Sequence, residues 1–248
     1  MFNFGRKPTL FHITHWKAGS QWVYVVLREL LSKSIVHPKV NVAHVVEEPI
    51  LSGKIYPTVY LNAATFHCVK LPDSYKTFFV LRDMRDTLVS RYFSFLKSHP
   101  TTSKTGTHSQ VIEQRTILEK MSLQDGLIHM LNIPQVQEIA TIQMDWYKRA
   151  DLTLRYEEML EDDIASFKKI VGLSGRKISD TKLKNVVINN RFANVTGRKR
   201  GEEDQSSHFR KGVSGDWQNY FDDTLKQAFK EKYAHVLIET GYEKDDIW

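Results

Sequence analysis

Apolar residues along the chain alternate between short continuous runs and helical three-to-four-residue spacing. The run Leu10-Phe11-His12-Ile13-Thr14 is β-rich and predicts a strand. After Ser20 the apolar positions Trp22, Val23, Val26, Leu27, Leu30 and Leu31 mark a helix, so the chain opens as strand, tight loop, helix. A second strand is expected within residues 40–46, ended by Glu47-Glu48-Pro49. Residues 58–61 and 65–69 read as extended, and Phe78-Phe79-Val80-Leu81 is a short apolar run of the kind buried in parallel sheets. Helices are expected over residues 86–97, through Val136, Ile139, Ala140, Gln143, Trp146 and Tyr147, and over residues 157–171, closing at Gly172. Leu152-Thr153-Leu154 adds another strand.

Strands alternating with helices predict an α/β fold with a parallel sheet covered on both faces. Residues 99–130 are polar at their start and weakly periodic, and read as an insertion over the sheet's carboxyl edge, where ligands bind in such folds. Residues 194–208 are rich in Gly, Lys, Arg, Glu and Ser, which predicts a mobile loop. Neither a repeat nor a domain linker is visible, so residues 1–248 read as a single domain.

Composition supports a packed core, with 41% hydrophobic and 26% charged residues over 248 positions. Formal charge is +6, which favours anionic partners such as phosphates, sulfates, nucleic acid or acidic membranes. The dense basic runs are only Arg198-Lys199-Arg200 and Arg210-Lys211, each followed by acidic residues, which argues against nucleic-acid binding. Cys68 is the one cysteine, so an intrachain disulfide and a thiolate zinc set are excluded and a reducing compartment is expected. The opening residues 1–8 lack a signal-peptide pattern, and no run of about 18 apolar residues predicts a membrane span. The expected setting is cytoplasmic.

Three constellations carry candidate chemistry. In His15-Trp16-Lys17-Ala18-Gly19-Ser20-Gln21-Trp22, between strand and helix, Gly19 permits a tight turn and the helix N-terminus offers N–H groups to a phosphate. Lys17 adds a mobile charge and Ser20 a hydroxyl; the same turn could also be an ordinary capped helix start. Arg82 follows the apolar run at 78–81 and suits bidentate phosphate contact, with Ser90 two helical turns on; the alternative is a salt bridge from Arg82 to Asp83 or Asp86. Finally, Arg210-Lys211-Gly212 can wrap an anion, and Asp216-Trp217 can anchor the far end of that loop; a solvated basic loop is the plainer reading.

Together these motifs resemble the cytosolic-type sulfotransferase family, which uses 3′-phosphoadenosine 5′-phosphosulfate (PAPS) and releases 3′-phosphoadenosine 5′-phosphate (PAP). Residues 15–22 are similar to the family's Tyr-Pro-Lys-Ser-Gly-Thr-Thr-Trp loop, with Lys17, Gly19 and Trp22 identical. Arg82, Asp86 and Ser90 fit its 3′-phosphate spacing, with Asp83-Met84 in place of Asn-Pro. Residues 210–217 match its Arg-Lys-Gly-x-x-Gly-Asp-Trp, and residues 154–159 resemble its Tyr-Glu-Asp-Met segment. The resemblance runs from residue 10 to about 235 and implies a P-loop-like three-layer fold with a central parallel sheet flanked by helices, in a single sulfotransferase domain with an acceptor-side insertion at 99–130. It implies that Lys17, Gly19, Ser20 and Gln21 hold the 5′-phosphosulfate, and that Arg82, Ser90, Arg210, Lys211 and Gly212 hold the 3′-phosphate. Trp22 and Phe192 would sandwich the adenine, with Tyr156 at its edge.

In-line sulfuryl transfer needs a base for the acceptor hydroxyl or amine and charge neutralisation for the departing nucleotide, and it needs no metal. Lys17 suits the second role. The family's base lies in Lys-Thr-His on a strand, and Thr65-Phe66-His67 is its nearest equivalent, so His67 is the implied base, with His15 and His12 as alternatives. A Cys68–His67 pair is rejected on the ground that neighbours on a strand point to opposite faces. A P-loop nucleotide kinase would show Gly-Lys-Ser/Thr, which is lacking; a non-catalytic nucleotide-binding module is the other alternative. A small-molecule acceptor is expected, of unspecified identity. The family's dimer motif is replaced at Gln218, Asp222, Asp223 and Gln227, which leaves the oligomeric state open.

Overall fold

The computed structural model describes residues 7–39, 44–99 and 107–248, with the side chains of 44 and 107–109 left out. In chain order the elements are β1 (Thr9–Thr14), α1 (Ser20–Leu31), α2 (His44–Glu47), β2 (Ile55–Val59), α3 (Ala63–His67), β3 (Tyr75–Leu81) and α4 (Met84–Phe93). They continue as α5 (Thr107–Leu118), α6 (Leu123–Met130), α7 (Pro134–Trp146), β4 (Leu152–Arg155), α8 (Tyr156–Glu161), α9 (Asp163–Leu173), α10 (Asp180–Asn189), α11 (Phe192–Thr196) and α12 (Asp223–Glu239). The chain divides into two compact units, Met1–Leu81 with Asp145–Val195, and Arg82–Met144 with Thr196–Trp248.

The first unit holds a four-stranded, wholly parallel sheet in the order β2-β1-β3-β4. All six residues of the inner strand β1 are buried, which explains its continuous apolar run rather than an alternating one. Helix α1 buries Val23, Val26, Leu27, Leu30 and Leu31, the stripe that its spacing predicts. The fold class is therefore α/β with a parallel sheet flanked by helices, as expected. The β1–β2 register slips between Phe11 and Ile13, beside Pro57, which has no N–H to give the ladder. There the His12 ring donates from Nδ1 to the Pro57 carbonyl at 2.6 Å.

Three local expectations are corrected. Residues 44–46 lie in helix α2 rather than a strand, and 40–43 fall outside the described residues. Residues 65–67 belong to helix α3, not a strand, because Asn62 caps it by accepting from the Thr65 N–H at 2.8 Å. The single helix expected over 157–171 is two, broken at Asp162, whose carboxylate caps α9 through the Ala165 N–H at 3.0 Å.

The second unit is helical. All ten residues of α4 are buried, polar ones included, so it is a central helix rather than an amphipathic surface one. Leu88 and Tyr92 pack in one core with Leu127, Met130, Leu225 and Phe229. The segment expected as an insertion thus supplies α5 and α6, and Val111, Leu118, Leu127 and Met130 are core residues. Residues 197–215 form a loop bonded to itself: the Arg198 guanidinium donates to the carbonyls of Glu202, Phe209 and Arg210, and the Gly201 N–H donates to Lys211.

Candidate active site

The first unit carries the loop that leaves β1. Lys17 has φ 71°, a left-handed conformation uncommon outside glycine, and Gly19 follows at φ 80° as the N-cap of α1. A Cβ on Gly19 would lie 2.8 Å from the Tyr156 ring, so glycine is required both by the turn and by that approach. No side chain caps α1, whose first buried residue is Ser20. The Ser20 hydroxyl instead pairs with the Tyr60 hydroxyl at 2.7 Å. Gln21 is exposed.

Tyr156 opens α8 directly after β4, and its ring meets Trp22 edge-on at 6.4 Å. Trp22 in turn packs edge-on against Phe167 at 5.4 Å, and its indole N–H is buried with no acceptor among the described residues. Phe192, the first residue of α11, is partly exposed.

The histidines separate clearly. His12 is fully buried, its ring stacked on Phe78 at 4.5 Å. Burial pushes its pKa down to about 3, overcoming the Pro57 carbonyl bond, so it is a weak proton acceptor. His15 is also buried, with Nδ1 3.0 Å from the Trp16 carbonyl oxygen. His67 ends α3, is exposed, and lays its ring against Trp146 at 6.2 Å and 28°. Because His67 and Cys68 are not on a strand, the opposite-face argument does not apply to them; successive helical positions still diverge by about 100°.

The second unit gathers the other two motifs. Arg82 follows β3, buried, and its guanidinium donates to the Val213 carbonyl at 3.3 Å and stands 3.7 Å from the Asp86 carboxylate. Asp86 accepts from the backbone N–H groups of Gly215 at 2.7 Å and Trp217 at 2.9 Å. Burial raises its pKa against the opposing pull of Arg82. The loop at 210–217 is thus fastened to the first turn of the helix that also carries Ser90. Arg210 pairs with Glu203 and Asp216 and lies over the Phe93 ring at 4.7 Å. Lys211 pairs with Asp216 at 2.5 Å. Burial would raise the Asp216 carboxyl, but the hydrogen bonds from Lys211 and Arg210 outweigh it and hold its pKa down. Gly212 takes φ 68° between these cations and the turn.

Arg85 is a residue that sequence reasoning missed. Its guanidinium is sandwiched between Trp217 at 4.0 Å and Trp248 at 4.4 Å, and it pairs with Asp83 at 2.7 Å and Glu243 at 2.5 Å. It holds the Trp of the Gly-Asp-Trp motif to α4. Only the neighbouring Asp83 was visible as a local signal.

A family model described as "Sulfotransferase domain" matches residues 61–241, and the chain belongs to the sulfotransferase family. It is an enzyme of sulfuryl transfer, and these matches do not favour a nucleotide kinase or a non-catalytic binding module. Among curated relatives, sulfotransferase 6B1 of Pan troglodytes is 24% identical, covering 91% of this chain and 75% of that protein. The 3-alpha-hydroxysteroid sulfotransferase of Cavia porcellus is 25% identical, covering 93% and 83%. In fold, the chain resembles mouse sulfotransferase SULT7A1 complexed with PAP, with TM-score 0.61 and 21% identity over 94% of this chain and 85% of that one. Retinol dehydratase in complex with androsterone and PAP follows at TM-score 0.55 and 17% identity, covering 92% and 80%. No helix among the described residues is long and apolar enough to cross a membrane.

Proposed function

We propose that this sulfotransferase takes PAPS as donor, releases PAP, and sulfates a hydroxyl or amine of a small-molecule acceptor in the cytoplasm. The observation that carries the reading is the fastening of two distant motifs in the second unit: Asp86 bonds to Gly215 and Trp217 while Arg82 reaches Val213, with Arg210 and Lys211 in the same loop. Three cations and a flexible Gly212 suit a dianionic phosphate, the 3′-phosphate that separates PAP from an ordinary nucleotide. In the first unit, the uncapped start of α1 and the close backbone at Gly19 suit a 5′-phosphosulfate. The Trp22 indole N–H, without an acceptor among the described residues, and the nearby Tyr156 suit an adenine, with Phe192 on its other side.

The donor, when bound, supplies the sulfuryl group, and its S–O bond to the 5′-phosphate breaks as the acceptor oxygen bonds to sulfur. Lys17, Ser20 and Gln21 neutralise and hold the 5′ oxygens, and Arg82, Ser90, Arg210, Lys211 and Gly212 hold the 3′-phosphate. His67 takes the acceptor's proton; its exposure supports contact with an exchangeable acceptor. Hydroxylated acceptors are supported by relatives named for them, the Cavia porcellus hydroxysteroid enzyme and a flavonol 3-sulfotransferase of Flaveria bidentis. The test is transfer from isotope-labelled PAPS to a panel of phenols, alcohols and amines, read by mass spectrometry. His67→Ala is expected to lower transfer at least a hundredfold, on the order of a lost general base, while PAP binding persists; full activity would remove His67 from the mechanism.

A further inference from the structure

The exit of β2, rather than the histidine beyond it, delivers a side chain to the 5′ loop. In the β1–β2 register Ile13 faces Val59, so Thr14 and Tyr60 leave the sheet at the same level on its carboxyl edge. His67 lies further on, at the end of α3. The Tyr60 ring stacks on Trp16 of the loop at 5.2 Å and 14°, and its hydroxyl lies 2.7 Å from the Ser20 hydroxyl. Two separate contacts therefore fix the phenol against the loop: one through the ring face, one through the oxygen.

The direction of that hydrogen bond is set by what the loop holds. A serine hydroxyl has one proton and two lone pairs. Phosphate and sulfate oxygens on a 5′-phosphosulfate are acceptors, so a Ser20 that serves them must spend its proton on the ligand. Its oxygen is then left to accept, and the Tyr60 O–H is a donor within reach. A donor on Ser20 Oγ also polarises the Ser20 O–H, strengthening its bond to the anion.

We infer that Tyr60 is a positioning residue for sulfuryl transfer, donating to Ser20 Oγ so that the Ser20 proton points to the 5′-phosphosulfate. The inference rests on the reading that this loop holds the 5′ end of the donor. Tyr60→Phe keeps the ring and its stack on Trp16 and removes only the oxygen. Titration calorimetry with PAP and with adenosine 3′-monophosphate, which lacks the 5′ group, tests it on the full chain. Tyr60→Phe is expected to weaken PAP by roughly threefold to tenfold, the size of one hydrogen bond, and to leave adenosine 3′-monophosphate unchanged. In a Ser20→Ala background the same substitution is expected to change neither. Equal PAP affinity in Tyr60→Phe and the unmodified chain, an equal loss for both nucleotides, or a full effect without Ser20 would overturn the inference. If the unmodified chain binds neither nucleotide, the donor reading itself fails.

Discussion

The buried polar residues follow different logics although several sit close in sequence. His12, in β1, and His15, just after it, are both fully buried, yet the loop proposed to hold the donor starts at the second of them. His12 is an interior group: its Nδ1–H is spent on Pro57 and burial keeps the ring neutral, with pKa about 3. The unfolded chain, at the ordinary value near 6.5, then binds more protons than the folded one between pH 6.5 and 3. Stability from this residue is complete above pH 6.5 and is lost as pH falls toward 3, by up to about 1.4 kcal/mol per unit. Urea unfolding midpoints at pH 7, 6 and 5 are expected to fall more steeply in the unmodified chain than in His12→Phe, which keeps a ring on Phe78 but cannot titrate. Parallel slopes would show that His12 is protonated in the fold. The motif residues Lys17, Gly19, Arg82, Arg210 and Lys211 were legible in the sequence because each lies within a short local pattern. Their partners were not. Asp86 meets Gly215 across 129 positions, and Arg85 meets Trp248 across the width of the chain, pairings that no local pattern encodes.

Among the elements, α4 does the most. It follows β3 in the chain, is capped by Asp83 through the Arg85 N–H, and presents Asp86 to the backbone of residues 215–217. Its complete burial allows a carboxylate to act as a rivet: two N–H donors and one guanidinium converge on Asp86, and replacing the carboxylate by an amide leaves one N–H unmet and the guanidinium without its counter-charge. Asp86→Asn is therefore expected to weaken PAP at least tenfold while AMP binding changes little, because the 210–217 loop loses its anchor; equal loss for both in calorimetry would make the effect a general loss of folding. Elements with long apolar signatures, β1, α1, β3 and α7, were readable from periodicity. Helix α3 was not, because Thr65 and Phe66 carry β-type preference and the deciding feature is the Asn62 cap three residues upstream of Thr65. The break at Asp162 was lost for the same reason: a cap inside an otherwise helical pattern. Helix α5 has no clean apolar stripe, so its role in the second core came only from packing.

For the molecule as a whole, the family match and the α/β fold define a sulfotransferase. The residues proposed for the 5′ end, Lys17, Gly19, Ser20, Gln21, Trp22 and Tyr156, belong to the first unit, and those proposed for the 3′-phosphate, Arg82, Ser90, Arg210, Lys211 and Gly212, belong to the second. Order along the sequence was enough to propose both groups; their hydrogen-bond and ion-pair partners had to be seen folded. A basic formal charge of +6 is consistent with a highly anionic ligand but does not choose one. The central claim is that the ligand is a nucleotide phosphorylated at both ends. Its most direct test is the melting temperature of the full chain with saturating PAP and, separately, with the same concentration of AMP. The account predicts a clear upward shift with PAP and a much smaller one with AMP, since a ligand stabilises in proportion to the logarithm of its occupancy ratio. Equal shifts with the two nucleotides, or none with PAP, would contradict it.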